Sequence, residues 1–185
     1  MTIQLPSLAE LLVEYDRALG YTADLVSDLT DDEVVWRADA EASAIGWHLG
    51  HQAAVAHYMV RNLTAAEPEI DPPVDRLMDS ATLERDRGDL PPVATIHEYR
   101  STVAERVRFR IGNIDEGKVG APAQLRLIGT TLLIAVINHE YQHSKWIGEV
   151  REQVHGKALP DAPSSQWLTS LDDYVVVAAA PTATV

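Results

Sequence analysis

The feature that most constrains the fold of this chain is a helical stripe that carries two histidines among apolar side chains. The members of the stripe recur at steps of four, three, four, three and four, which is the spacing of one face of an α-helix. They are Leu132, Val136, His139, His143, Trp146 and Val150. Because all the other members are apolar, the pattern predicts a long amphipathic helix whose two imidazoles point towards the core.

Two imidazoles on adjacent turns of a core-facing stripe need partners, because a buried ring nitrogen without a hydrogen bond costs about 1–3 kcal/mol. Either the rings bond to buried polar groups or they share a metal ion. The spacing H-E-x-x-H also occurs in zinc proteases, where the glutamate is the general base. One alternative is therefore a metalloprotease in which Glu140 is the general base. However, Glu140 lies about 100° around the helix from His139, so we expect it to face another helix or the outer shell of the site.

Composition restricts the functions that this chain can have. It has 185 residues, of which 46% are hydrophobic, and this suits one domain with a core. The net charge of −13 and the lack of a basic cluster argue against binding to nucleic acid. The absence of cysteine excludes disulfides and a thiolate nucleophile, and it fits the cytoplasm, where we expect the protein. The longest apolar run, Leu132 to Ile137, is too short to span a bilayer, so we expect no membrane partner.

Helical patterns cover most of the chain and predict an all-α fold, a four-helix bundle by default. The first two predicted long helices are Leu8–Leu29, after a Ser7–Glu10 capping box, and a helix that follows Ser43 as its N-cap and runs to Leu63. The other two are Ile96–Asn113, capped by Thr95 and Glu98, and a last helix from Thr130 or Thr131 to Gly156. A second capping box at Thr30 predicts a short helical turn through Trp36. The arginines of the third helix, Arg100, Arg106, Arg108 and Arg110, are expected on a solvated face.

Two segments lie outside this helical pattern. Residues 65–93 are rich in proline and acidic residues and predict a long connection between the second and third helices, with a short helix around Ser80 to Arg87. After Pro160 the sequence predicts an irregular tail, and Val175 to Val185 is interpreted as a loose extension rather than an ordered strand. Trp167, Leu171 and Tyr174 are expected to pack back onto the bundle or onto a second subunit. The chain is therefore divided into a domain at 1–160 and a C-terminal extension at 161–185.

A third metal ligand for the histidine pair would have to come from another helix, and the second predicted helix offers three histidines. His48 and His51 are three residues apart and share a face, whereas His57 points roughly the other way and is expected at the surface or at an interface. Gly46 and Gly50 each cost about 1 kcal/mol inside a helix. They predict the close approach of a neighbouring helix or loop.

Several of these residues together resemble the DinB-like superfamily. The resemblance is carried first by the segment from Leu29 to Tyr58, LTDDEVVWRADAEASAIGWHLGHQAAVAHY. In that family a tryptophan–arginine stretch is followed by a serine–isoleucine signature and then by a histidine six residues after the isoleucine. Here the isoleucine is Ile45 and the histidine is His51. The family's other two ligands form an H-x-x-x-H pattern on the last helix of the bundle, which matches His139 and His143.

This resemblance implies a four-helix bundle with up-down-down-up connectivity and commonly a homodimer. It also implies a divalent metal ion, zinc or nickel with iron as the alternative, held by His51, His139 and His143 with open coordination positions. Characterised members include thiol-dependent enzymes that use mycothiol or bacillithiol. The strings W-H-L-G-H and N-H-E-Y-Q-H are similar to the metal-binding domain of ergothioneine-type sulfoxide synthases, which are iron-dependent.

We therefore expect a metal-dependent enzyme whose ion activates a thiol or water, as a low-molecular-weight-thiol S-transferase or a hydrolase acting on a small molecule. The substrate cavity is expected between the second and fourth helices, opened by the 65–93 connection. His48, Tyr58 and Asn138 are expected in the second shell of the metal or in the pocket. Two alternatives stay open: a non-catalytic metal-binding stress-response protein, and a metal-free protein whose histidines are satisfied by one another and by water.

Overall fold

Six α-helices dominate the computed structural model, which describes residues 3–63, 67–178 and 180–181. They are α1 (Leu8–Val26), α2 (Asp31–Val35), α3 (Ile45–Arg61), α4 (Pro72–Leu77), α5 (Val93–Asp115) and α6 (Pro122–Gln153). A 3₁₀ turn at Glu84–Asp86 lies between α4 and α5. The predicted all-α class is confirmed. Among the described residues, none of the helices is both long and apolar enough to cross a membrane.

The first two helices begin where the sequence predicts. At α1 the Ser7 hydroxyl accepts a hydrogen bond from the Glu10 backbone N–H, and the Glu10 carboxylate accepts one from the Ser7 N–H. Thr30 and Glu33 repeat this arrangement at α2. Each capping box satisfies backbone donors that the first helical turn leaves unpaired, so the chain direction is fixed at both starts.

The predicted N-terminal caps of α3 and α5 are wrong. The residues that precede these helices are Ala44 and Pro92, and neither gives a side-chain capping bond. The Ser43 hydroxyl instead accepts a hydrogen bond from Arg87 across the connection. The Thr95 cap fails because α5 already begins at Val93, one residue after Pro92.

Helix α6 begins about two to two and a half turns earlier than predicted, at Pro122 rather than at Thr130 or Thr131. A proline is well suited to the first helical position, since its fixed φ fits the helix and its missing N–H would be unpaired there in any case. The end of α6 at Gln153 lies close to the predicted stop, and Gly156 adopts a positive φ of 63° just beyond it.

The long helices pack in definite relative directions. Leu8 and Leu25 of α1 lie against Gly129 and Gly148 of α6 respectively, so α1 and α6 run the same way. Helix α3 runs against α6, because His48 lies beside His143 while Gln52, further along α3, lies beside Glu140. Fully buried side chains from all four long helices form the core between them, among them Leu11, Ile45, Ile111 and Leu133.

The connection between α3 and α5 is more ordered than predicted and approaches α3 closely. Its helix is α4 at Pro72–Leu77, capped by Asp71, whereas the segment Ser80–Arg87 forms only the 3₁₀ turn. A Cβ atom built on Gly50 would lie 2.3 Å from the sulfur of the fully buried Met78. The predicted close approach of a loop at Gly50 is therefore confirmed.

The tail contains a β-hairpin, so the prediction of an irregular end is wrong for these residues. Strands β2 (Leu168–Leu171) and β3 (Tyr174–Val177) pair antiparallel, and a further pair joins β1 (Ile3–Gln4) to β4 (Ala180–Pro181). The two hairpin-turn residues, Asp172 and Asp173, have φ values of 48° and 64°, as type I′ turns require. Residues 179 and 182–185 of the predicted loose extension lie outside the described residues.

The residues expected to pack back from the tail differ in their placement. Trp167 is buried, Tyr174 lies under the Lys145 ammonium group at 4.8 Å, and Leu171 is exposed. The backbone N–H of Val177 donates to the Asn138 side chain at 2.8 Å. The hairpin is thus attached to α6 through both apolar and polar contacts.

Candidate metal centre

His51 of α3 and His139 and His143 of α6 come together in one cluster. A ring nitrogen from each lies within 4.8 Å of the other two, and the group could hold a metal ion. The ring centroids are 5.1 Å apart for His51 and His139, 4.9 Å for His51 and His143, and 4.4 Å for His139 and His143. His51 and His143 are buried and His139 is half-buried. The helical spacing predicts the α6 pair, and the opposed direction of α3 brings His51 to it.

The connection fixes the orientation of the His51 ring. His51 Nδ1 lies 2.6 Å from the carbonyl oxygen of Met78, and because a carbonyl only accepts, Nδ1 must carry the proton. The unshared electron pair of the neutral ring is then on Nε2. Trp47 stacks on the same imidazole at 4.5 Å, and its indole N–H donates to the Leu77 carbonyl. These contacts hold one nitrogen of His51 ready for a metal, as outer-shell partners commonly do.

His48 is a fourth imidazole in contact with the cluster. Its Nδ1 lies 2.8 Å from Nδ1 of His143, so one of these two nitrogens donates to the other. A His143 that binds an ion through Nε2 carries its proton on Nδ1, and His48 is then the acceptor. Trp146 packs edge-on against His143 at 4.7 Å and further limits rotation of that ring.

Burial keeps these imidazoles uncharged. Loss of solvent, and secondarily the neighbouring imidazoles, lower the pKa of His139 to about 4 and the pKa of His143 to about 2. The pKa of His48 falls to about 4 for the same reasons. Neutral imidazole is the form that binds metal, so the donor set fits a divalent first-row ion near neutral pH. Among the described residues His139 has no hydrogen-bond partner, which leaves its ring nitrogens to an ion or to solvent.

Glu140 faces away from the cluster, as the sequence predicts. Its carboxylate accepts hydrogen bonds from Arg100 at 2.8 Å and from the Thr22 hydroxyl at 2.7 Å, on α5 and α1. Gln52 donates to the Glu140 backbone carbonyl and accepts from Arg100. This engagement with α1 and α5 argues against the metalloprotease alternative. It also corrects the expected solvated face of α5, because the Arg100 side chain is only 11% exposed.

Tyr58 and Asn138, which were expected near the site, and His57, which was not, lie in three different surroundings. Tyr58 is 70% exposed and lines a cavity next to His51. Asn138 lies at the contact between α6 and the tail, where its side-chain oxygen accepts from Val177. His57, expected at the surface or at an interface, is buried and receives a hydrogen bond from Arg106 at 3.2 Å.

The cavity next to His51 has a volume of about 510 Å³. Its walls come from α3, between His51 and Arg61, and from the connection, between Glu69 and Ser80. The expectation of a cavity between the second and fourth long helices is therefore wrong for this space, because α4 and Met78 supply its second wall. A small molecule in the cavity can reach His51, whose ring lines the cavity and also belongs to the histidine cluster.

Sequence reasoning missed Met78, Arg87 and Arg100. The unusual Gly50 was a signal for the close approach of Met78. No sequence signal identified Arg87, whose guanidinium lies 3.6 Å from the centroid of the Trp47 ring, or singled out Arg100 among its neighbouring arginines.

A family model described as the DinB superfamily matches residues 14–147. The match covers most of the chain and includes the three clustered histidines and His48. No curated protein matches the chain.

Proposed function

The chain belongs to the DinB superfamily, and from that premise we propose that it is a metal-dependent enzyme whose ion is held by His51, His139 and His143. The observation that carries the proposal is the convergence of three uncharged imidazoles, one of which has its proton fixed on Nδ1 by the Met78 carbonyl. Zinc or nickel suits such ligands, with iron as the alternative. The up-down-down-up connectivity belongs to the same proposal, and the parallel α1–α6 and antiparallel α3–α6 contacts support it.

The proposed reaction is transfer or hydrolysis with a thiol or water as the nucleophile. Three neutral ligands leave a divalent ion its full charge, so the ion supplies Lewis acidity to a thiol or water at neutral pH. The chain itself holds the ligand rings through Met78 and His48, and provides space for a small molecule beside His51. The family resemblance favours a low-molecular-weight thiol as the substrate and an S-transferase as the activity.

Metal content tests the first part of the proposal. The untagged chain is purified, reconstituted separately with zinc, nickel and iron, and analysed by mass spectrometry beside His51→Ala, His139→Ala and His143→Ala. His97→Ala is the matched control, because His97 is exposed on α5. We expect about one ion per chain in the wild type and the control, and less than about a tenth in the three variants. Equal metal content in all five proteins would refute the proposed ligands.

Turnover tests the second part. The loaded protein is incubated with a panel of low-molecular-weight thiols and electrophilic acceptors, and loss of thiol is followed beside the chelator-treated protein. The proposal expects metal-dependent turnover that His143→Ala abolishes. Stoichiometric metal binding without turnover of any thiol or hydrolysable substrate would contradict the enzyme and favour a binding protein.

His48 supports a second candidate, a non-catalytic metal-binding stress-response protein. A structural zinc site is normally closed by four protein ligands, and His48 lies 2.8 Å from His143. Cobalt substitution separates the two candidates. A spectrum with four nitrogen donors that His48→Ala reduces to three favours the closed site, whereas an exchangeable solvent ligand in the wild type favours the enzyme.

A homodimer is proposed on the family resemblance alone. Light scattering coupled to size exclusion measures the mass in solution. A mass equal to that of one chain across the micromolar range would contradict it.

A further inference from the structure

Arg61, which lines the cavity beside His51, has no hydrogen bond or ion pair with any described residue. Its Nε is shielded from solvent and still lacks an acceptor. The Arg61 residue as a whole is half-buried. By contrast, Arg87, Arg100 and Arg151, whose side chains are at most 11% exposed, each pair with a carboxylate. A shielded N–H group without an acceptor is costly, so the position of the Arg61 Nε requires an explanation.

The other walls of the cavity indicate what such an acceptor would be. Glu69, Asp75 and Asp79 line it together with Arg61 and Arg76, so the carboxylates outnumber the guanidinium groups and an anion with several charges would be repelled. Ala54, Val55 and Met78 add apolar surface that suits the body of an organic molecule. The planar fork of an arginine matches the geometry of a carboxylate, and about 510 Å³ is within the range that small-molecule sites occupy.

From this arrangement we infer that the cavity is a binding site for a small organic carboxylate whose carboxylate group is bound by Arg61. The body of the ligand contacts Ala54, Val55 and Met78. Because His51 forms part of the wall, the ligand lies next to the proposed metal centre. Binding of the carboxylate needs no metal. The inference rests on the proposed function only where it makes this ligand a substrate of the enzyme.

Matched ligand pairs test the inference on the full chain after treatment with a chelator. Calorimetry compares acetate, butyrate and 3-phenylpropionate with acetamide, butyramide and 3-phenylpropanamide at constant ionic strength, and includes inorganic phosphate. We expect at least one carboxylate to bind about tenfold or more tightly than its amide, and more tightly than phosphate. Absence of binding at millimolar concentration, or equal affinity of acid and amide, overturns the inference. If phosphate binds as tightly as every carboxylate, the inference that the ligand is an organic molecule is wrong.

Variants locate the contact. Arg61→Met should remove the preference for the acid over the amide, and Arg61→Lys should retain part of it, because it keeps the charge and loses the fork. The matched control is Arg85→Met, since Arg85 pairs with Glu41 on the surface and lies outside the cavity. Circular dichroism verifies folding. If folded Arg61→Met keeps the full preference for the acid over the amide, Arg61 does not bind the carboxylate. If that variant does not fold, the preference of Arg61→Lys is compared with that of the wild type instead, and an unchanged preference overturns the role of Arg61.

Metal content is measured on the same preparations. A chain that binds metal and no carboxylate refutes this inference alone. A chain that binds carboxylate and no metal refutes the proposed function alone.

Discussion

His48 is the residue outside the proposed ligands on which the geometry of the centre depends most. Replacement by leucine removes the acceptor 2.8 Å from His143 Nδ1, whereas asparagine keeps a polar atom near that position. We expect His48→Leu to weaken metal binding about 10- to 100-fold, as the loss of outer-shell partners does, and His48→Asn to weaken it less. Competition with a chromophoric chelator measures both. Equal affinity of the leucine variant and the wild type would show that His48 does not orient His143.

Gly50 allows the connection to reach His51, and an alanine there should harm both stability and metal binding. The new Cβ would lie 2.3 Å from the Met78 sulfur, so the segment whose carbonyl binds His51 must move. We expect a loss of about 1–3 kcal/mol in the free energy of unfolding, together with weaker metal binding. Urea titration and chelator competition measure the two effects.

Gly20→Ala is the matched control for that substitution. Gly20 also lies within a helix, but a Cβ there meets no atom within 4 Å. We expect it to raise the free energy of unfolding by about 0.5–1 kcal/mol, because alanine restricts the unfolded chain and favours the helix. Similar destabilisation by both alanines would contradict a specific contact at Gly50.

For single residues, the sequence could predict which side chains cluster on one helix but not which backbone atoms orient them. The step of four between His139 and His143 fixes their common face. The Met78 carbonyl is 27 residues from His51 along the chain and reaches it through an irregular connection. No helical period relates such positions, so the proton placement on His51 could only be found in three dimensions.

Helix α2 and the segment after α6 are held together by one carboxylate. Glu33 accepts hydrogen bonds from the Lys157 ammonium and from the Thr30 backbone N–H, both at 2.8 Å. The bond from Lys157, followed by that from Thr30, lowers the pKa of Glu33 from 4.5 to about 2 in the folded protein. Because the folded-state pKa is the lower one, this contribution to stability is present above about 4.5 and is lost as the pH falls towards 2.

Glu33→Gln should therefore flatten the acid dependence of stability. We expect the free energy of unfolding to fall less steeply between pH 4.5 and about 2 in this variant than in the wild type. Urea titrations at several pH values measure the slope. Glu105→Gln, an exposed position on α5, is the control and should leave the slope unchanged. Identical slopes for the wild type and Glu33→Gln would contradict the role of this contact.

The elements were predictable where a local signal was sufficient. Ser7 and Thr30 mark helix starts because their partners are three residues away, within the same turn. The hairpin had a signal too, since a pair of aspartates separates two strand-forming runs, but the small residues around it obscured the pattern. The early start of α6 was missed because Pro122 precedes its apolar stripe by more than two turns.

A buried polar network connects four helices across the whole molecule. Arg100 of α5 binds Glu140 of α6, Gln52 and the Leu49 carbonyl of α3, and Thr22 of α1 donates to the same carboxylate. Glu140→Ala leaves the Arg100 charge unpaired in a site where its side chain is 11% exposed. We expect this to cost about 3–5 kcal/mol in the free energy of unfolding, with metal stoichiometry unchanged in the folded protein.

A double-mutant cycle with Arg100→Met measures the coupling. The double variant should be more stable than the sum of the single effects predicts, by about 0.5–3 kcal/mol. The control cycle uses Asp16 and Arg108, an ion pair with both side chains largely exposed, whose coupling should stay below about 1 kcal/mol. Additive effects at Arg100 and Glu140 would show that the network does not join the helices.

The metal centre itself is tested most directly by the crystal structure of the zinc-loaded chain with anomalous diffraction at the zinc edge. We expect one strong peak about 2.0–2.1 Å from a ring nitrogen of each of His51, His139 and His143, with Nε2 as the His51 ligand because Nδ1 donates to Met78. A peak at other residues, or zinc bound through Nδ1 of His51, would contradict it.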